Sequence, residues 1–118
     1  MSVGRLIDYI EHMLEAARLA SAYAEGLDKQ SFLADRRTQQ AIIMNIIIIG
    51  EAATRIVNDY PKLIDRYPNV PWRNMRGMRN RMAHGYFDIN LDTVWNTVQD
   101  AIPQLIQQLS AMRDSVED

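Results

Sequence analysis

At 118 residues the chain has the length of one domain and is short for two. Its hydrophobic fraction of 47% is that of a globular protein, and a formal net charge of −2 argues against a general electrostatic coat for DNA or RNA. The absence of cysteine excludes disulfides, thiolate catalysis and Cys-ligated zinc, and two histidines, His12 and His84, leave little from which to build a His-rich metal site.

The opening stretch, MSVGRLIDYIEHMLEAARLA, lacks the uncharged apolar centre of a signal peptide. Uninterrupted apolar runs such as Ile46–Ile49 fall far short of the roughly 20 residues that span a membrane. No membrane association is expected, and the cytoplasm is the expected location. From Arg5 to about Glu25, Leu6, Ile7, Ile10, Met13, Leu14 and Ala17 recur at the three- and four-residue steps of a helix with one buried face. Gly26 stops that helix, and Asp28 or Ser31 is placed to cap the next.

The second segment, about Ser31 to Tyr60, carries two apolar stripes. One runs through Ile42, Ile46, Ile49, Ala53 and Ile56, the other through Ile43, Ile47, Gly50 and Val57. The β-branched run IIMNIIII would also suit a strand. The same spacing continues through Glu51–Val57, however, and that length favours a helix covered on two sides. Two covered sides fit either a deep core or a dimer seam. Residues 60–70, with two prolines, read as a loop with one helical turn. Pro71 suits the first position of a helix reaching about Ala83, with a core stripe of Met75, Met78 and Met82, and Gly85 is its natural stop. Asn90 caps a last helix through Leu91, Val94, Trp95, Val98, Ile102, Leu105, Ile106 and Leu109, in which Pro103 predicts a kink near Asp100. Trp72 and Trp95 read as packing residues. The acidic end, DSVED, is expected to fray. The fold class predicted is all-α: a single antiparallel bundle of four to five helices over residues 1–118, with an acidic tail at about 114–118.

The chemistry concentrates in WRNMRGMRNRMAHGY, residues 72–86. Arg73, Arg76, Arg79 and Arg81 place four positive charges within nine residues, with no acid among them. The remaining nine basic residues face all fifteen acidic ones, so the rest of the chain carries −6. A charge run is usually only a solvated helix face. This one is all arginine, whose planar fork matches phosphate, and it lies beside one of the two histidines. His84 by itself also fits a cation at a helix C-terminus, and His12, between acidic neighbours, reads as solvated. Glu51 would be costly to bury alone. It either pairs with an arginine of the basic helix or points to solvent at a groove.

Arg79, four residues, then His84, with polar Asn80 directly after the arginine, resembles the signature of HEPN ribonuclease domains. The wider stretches IIIIGEAATRIV and YPNVPWRNMRGMRNRMAHGYFDINLDTVWNTV resemble the HepT branch, over roughly residues 40–106. The resemblance implies an endoribonuclease toxin of a type VII-like toxin–antitoxin module, acting without a metal or other cofactor. Its implied form is a homodimer with the motif facing a cleft between subunits. The implied partner is a minimal nucleotidyltransferase antitoxin that transfers AMP to the tyrosine two residues after the histidine, here Tyr86. The other reading is a non-catalytic HEPN dimer that only binds such a nucleotidyltransferase.

The residues suit the implied chemistry. RNA supplies its own nucleophile, the 2′-OH. Histidine as a residue type exchanges protons near neutrality and serves as general base or acid. Arginine donates to phosphate oxygens and to the charge that develops on them. His84 and Arg79 are the catalytic candidates, with Arg73, Arg76 and Arg81 as supporting phosphate contacts and Asn80, one turn before His84, placed to orient the imidazole or bind a phosphate. Residues five apart on a straight helix differ by about 140°, so Arg79 and His84 do not share a face. Either the helix tightens before Gly85 or a second copy completes the site.

Overall fold

The computed structural model describes residues 3–117, and among them every regular element is helical. The first helix, α1 (Val3–Ala24), ends at Gly26, whose φ of 81° lies in the left-handed region that a residue with a Cβ rarely adopts. The segment expected as one helix from Ser31 is instead two: a short α2 (Lys29–Leu33) and the long α3 (Arg36–Asp59). The break rests on two caps and one contact between the helices. Asp28 caps α2 by accepting from the Ser31 N–H at 2.8 Å. Asp35 caps α3, accepting from the Thr38 N–H at 3.1 Å and the Thr38 hydroxyl at 2.7 Å. The Gln39 amide then donates back to the carbonyls of Phe32 and Leu33, satisfying the end of α2. IIMNIIII is helical, and the strand alternative is set aside.

Residues 60–70 hold a fuller helix than the single turn expected, α4 (Pro61–Arg66). The basic helix α5 (Trp72–His84) begins one residue later than expected: Pro71 stands before it, its carbonyl accepting the Met75 N–H. A 3₁₀ turn (Tyr86–Asp88) leads to α6 (Leu91–Asn96), capped by Asn90. The chain continues without a break through a π-helical turn (Thr97–Ala101) into α7 (Ile102–Glu117). The π turn is where the effect of Pro103 falls. Proline has no N–H to continue the α ladder, and Ile102 reaches back five residues to the Thr97 carbonyl. The extra residue keeps Val94, Val98, Ile102, Leu105, Leu109 and Met112 all buried. The acidic end, expected to fray, stays helical through Glu117. Met112 is fully buried, Val116 packs on the core, and Arg113 meets Glu11 of α1 at 3.2 Å.

Four long runs (α1, α3, α5 and residues 91–117) make the body, and the membership of its two core clusters gives their directions. One cluster joins Leu6, Ile10 and Met13 to Ile49, Ala53 and Ile56, to Trp72 and Met75, and to Leu109 and Met112. The other joins Ala20 and Ala24 to Ile42 and Ile46, Met82, Val94 and Val98, with Phe32 stacked 5.3 Å from Trp95. The start of α1 therefore meets the end of α3, the end of α3 meets the start of α5, and the start of α1 meets the end of α7. Each contact is antiparallel. Helix α3 is long and apolar enough to cross a membrane by length and composition. Here it is the central helix, covered by α1 on one side and α5 on the other. That accounts for its two stripes without a second chain, although Ile43 and Ile47 are only partly buried and Met44 is 56% exposed.

Candidate active site

The basic helix owes its place to a close crossing with α3. At Gly50 an added Cβ would collide with the Arg79 Cβ and would lie 2.6 Å from the Met75 carbonyl oxygen. Only glycine lets the two backbones approach this far. Trp72 and Met75 at the start of α5 and Met82 near its end are buried, and Met78 lies at the margin with its sulfur 3.6 Å from the Thr97 hydroxyl. The Trp72 indole N–H donates to the Tyr67 carbonyl at 3.1 Å, which confirms a packing role.

The outer face of α5 carries the polar residues. Arg73, Arg76, Asn80 and His84 fall at i, i+3, i+7 and i+11, one continuous ridge. Arg73, Asn80 and His84 are exposed and Arg76 is half-buried. Arg81 lies on the opposite flank, lining a groove of about 490 Å³ with Asp88, Asn90 and Thr93. Arg79 sits between the ridge and the α3 contact, its side chain 23% exposed. Its guanidinium is held from α3. Nη2 donates to the Thr54 hydroxyl at 3.4 Å, and Nε lies 3.7 Å from a Glu51 carboxylate oxygen. Glu51 also accepts from Arg55 Nε at 3.3 Å and is half-exposed, so both readings of this residue hold: it pairs with the basic helix and it faces water.

Arg79 and His84 are thus not brought together within one chain. Arg79 leans onto α3, while His84 ends α5 on the exposed side, where the Gly85 N–H donates to the Arg81 carbonyl. The helix does not tighten before Gly85. Among the described residues no hydrogen bond links Asn80 to His84, so an imidazole oriented by Asn80 is not formed here. His84 and Arg81 stand in the last turn, where the helix dipole favours positive charge. His12 is exposed on α1.

Just past the helix, Tyr86 and Phe87 are 63% and 86% exposed, their rings 4.2 Å apart. With Ile43, Met44 and Ile47 of α3 they border an open groove of about 490 Å³, whose polar edge is Arg36 and Gln39. An exposed aromatic pair beside exposed Met44 and half-buried Ile43 and Ile47 is unusual for a surface serving no contact. Among the described residues, no group of three or more His, Cys, Asp or Glu is placed to hold a metal ion. The sequence offers Glu51 as a partner for an arginine of the basic helix, but Thr54 and the close approach at Gly50 are not foreseen from it. The available signal was Gly50-Glu51-Ala52-Ala53-Thr54, where a small residue, an acid and a hydroxyl fall within one turn.

The class so defined is a small all-helical bundle that presents an arginine-rich helix ending in an exposed histidine. Comparison with known proteins specifies it further. Residues 13–112 match the family model described as "Ribonuclease HepT-like". A Thermococcus cleftensis protein named "Probable ribonuclease HepT" is 37% identical over 106 residues, covering 90% of this chain and 94% of that protein. A Methanocaldococcus jannaschii protein provisionally named as an RNase is 30% identical over 112 residues, covering 95% of this chain and 87% of its own. No solved structure matches. The chain belongs to the HepT-like ribonuclease family.

Proposed function

We propose that this protein is a metal-independent endoribonuclease toxin that cleaves RNA through the 2′-OH, with His84 and Arg79 as its catalytic residues. The observation that carries the reading is the construction of α5: an arginine with its guanidinium anchored on a neighbouring helix, flanked by a cationic ridge that ends in an exposed histidine. In the reaction, a base takes the 2′-OH proton, the 2′-oxygen attacks the adjacent phosphorus, and the 5′-oxygen leaves with a proton from an acid. The products are a 2′,3′-cyclic phosphate, or the 3′-phosphate after hydrolysis, and a 5′-OH end. The developing charge on the phosphorane is met by Arg79, a donor that needs no ion. Arg73, Arg76, Arg81 and Asn80 take flanking phosphates and so set where the strand lies.

One chain offers one imidazole on a different face from Arg79. A homodimer removes both shortages, because its two copies supply two His84 imidazoles, one as base and one as acid, around a shared cleft. The exposed Tyr86, Phe87 and Met44 beside the groove on α3 are the surface suited to such a seam. The Tyr86 hydroxyl stands two residues beyond His84, where AMP transfer from a nucleoside triphosphate by a partner nucleotidyltransferase, with loss of pyrophosphate, would place a bulky anion against the cationic ridge. That anion competes with RNA for the same arginines, which supplies a physical basis for neutralisation.

The test is expression with and without the neighbouring gene, read by intact and peptide mass and by cleavage of a defined RNA in the presence of EDTA. Cleavage to cyclic-phosphate ends that is lost in His84→Ala and Arg79→Ala, with an added AMP on Tyr86 only on co-expression, supports the reading. A 5′-phosphate product, strict metal dependence or a fully active His84→Ala variant refutes it.

A further inference from the structure

The Arg79 guanidinium has two usable edges, and α3 addresses only one of them. Nε and Nη2 share the inner edge: Nη2 donates to the Thr54 hydroxyl at 3.4 Å, and Nε lies 3.7 Å from Glu51. Nε is also closed off from solvent with no hydrogen-bond partner, and among the described residues it is the one side-chain polar atom in that condition. Leaving such a donor unmatched is unfavourable, and the Glu51 carboxylate stands 3.7 Å from it.

The surroundings of the two acceptors are set for this purpose. Thr54 gives its own hydroxyl proton to the Gly50 carbonyl at 2.8 Å, so its oxygen faces Arg79 as an acceptor. Glu51 is steadied one turn on by Arg55, whose Nε lies 3.3 Å from its other oxygen. Gly50 completes the arrangement by admitting the Arg79 Cβ against the α3 backbone. Residues 50, 51, 54 and 55 fall within a turn and a half of α3 and converge on one side chain of α5.

We propose that Glu51, with Thr54 beside it, is a positioning residue for Arg79: it fixes the inner edge of the guanidinium so that the outer edge, Nη1 and the far proton of Nη2, is held ready for an RNA phosphate. The inference rests on Arg79 acting at phosphate, as set out under the proposed function. It opposes a second view of the same ion pair, in which Glu51 competes with phosphate for Arg79 and restrains the enzyme. The inner-edge contact decides between them, because a carboxylate bound there leaves the outer pair of N–H groups unoccupied.

The experiment compares full-length wild type with Glu51→Leu, Glu51→Gln and Thr54→Val in steady-state cleavage of a short fluorogenic RNA, with Arg79→Ala and His84→Ala as controls. Glu51→Leu should lower kcat by roughly 10- to 100-fold, since displacing a reacting group by about 1 Å costs on that order. KM should stay within about twofold, because ground-state phosphate contacts are spread over Arg73, Arg76 and Arg81. Glu51→Gln retains an acceptor oxygen and should fall between the two. Glu51→Leu cleaving as fast as wild type, or faster, overturns the proposal.

A second measurement is independent of activity: the solvent exchange of the Arg79 Nε proton by ¹⁵N NMR, assigned through its loss in Arg79→Lys. It should be slow in wild type and fast in Glu51→Leu, as the unmatched donor swings out to water. Unchanged exchange overturns the proposal even if activity falls. Should Glu51→Leu fail to fold, Glu51→Gln carries both measurements in the same direction. Failure of the underlying reading looks different, because Arg79→Ala would then cleave as well as wild type while the exchange result still decides the positioning.

Discussion

Replacing Gly50 by alanine sets two effects against each other. In an isolated helix the change is favourable by about 1 kcal/mol, because alanine is the better helix former. In this structure the new methyl would sit on the Arg79 Cβ and 2.6 Å from the Met75 carbonyl oxygen, 0.8 Å inside the 3.4 Å at which ordinary contact begins. Neither obstacle is the movable end of a side chain: one is backbone and the other is the root of a residue fixed on α5. The helices must therefore separate or tilt by most of an ångström along their central crossing. Overpacking of this kind costs about 1–3 kcal/mol. We expect a net loss of up to about 2 kcal/mol, which for a domain of this size lowers Tm by up to roughly 8 °C. Thermal and urea unfolding followed by far-UV circular dichroism measures it. A variant that melts higher than wild type would mean that α3 and α5 do not approach this closely, and the placement of Arg79 argued from that approach would fall with it.

Other predictions follow from different parts of the molecule. The Asp28 carboxyl lies below its ordinary 3.8 because the Ser31 backbone N–H, then its hydroxyl, bonds to it. Asp35 lies below the same value because the Thr38 hydroxyl, then its N–H, does likewise. Both pKa values are depressed in the folded state, so their contribution is complete above 3.8 and is lost as pH falls through the lowered folded values. A doubly substituted Asp28→Asn, Asp35→Asn protein keeps the cap acceptors without the titration. Its Tm should decline less steeply than that of wild type below pH 3.8, and parallel slopes would count against the caps. Trp72→Phe loses the bond to the Tyr67 carbonyl and some buried surface, so urea unfolding should report a loss of about 1–2 kcal/mol. Phe87→Ser removes a ring that is 86% exposed and should leave monomer stability unchanged. By sedimentation it should weaken self-association, and RNA cleavage should weaken with it; an unaltered dimer would place the seam elsewhere.

Much of this protein is legible from local pattern. The periodicity of Leu6 to Ala17, of Ile42 to Ile56 and of Val94 to Leu109 determines the helices, because burial of one face repeats every three or four residues whatever the neighbour is. Gly26, Asp28, Gly85 and Asn90 mark ends through backbone chemistry that acts over one turn. The arginine helix and its histidine are equally visible, since composition and spacing are properties of the chain itself. The same local view underestimates what long contacts do. Residues 114–117 read as a fraying tail, and they are helical because Met112, Val116 and Arg113 find partners on the core and on α1. The break at Asp35 depends on Gln39 reaching back to Phe32. Pro103 announces a disturbance, but that it takes the form of a π turn follows from keeping Val98 and Ile102 in one core. That Arg79 and His84 lie on different faces of one helix follows from residue angle alone. That Arg79 rests on Glu51 and Thr54 follows from how α3 and α5 pack. That contact spans 25 residues of chain and exists because Gly50 lets the α3 backbone close on α5 at Met75 and Arg79, a fact no local spacing encodes.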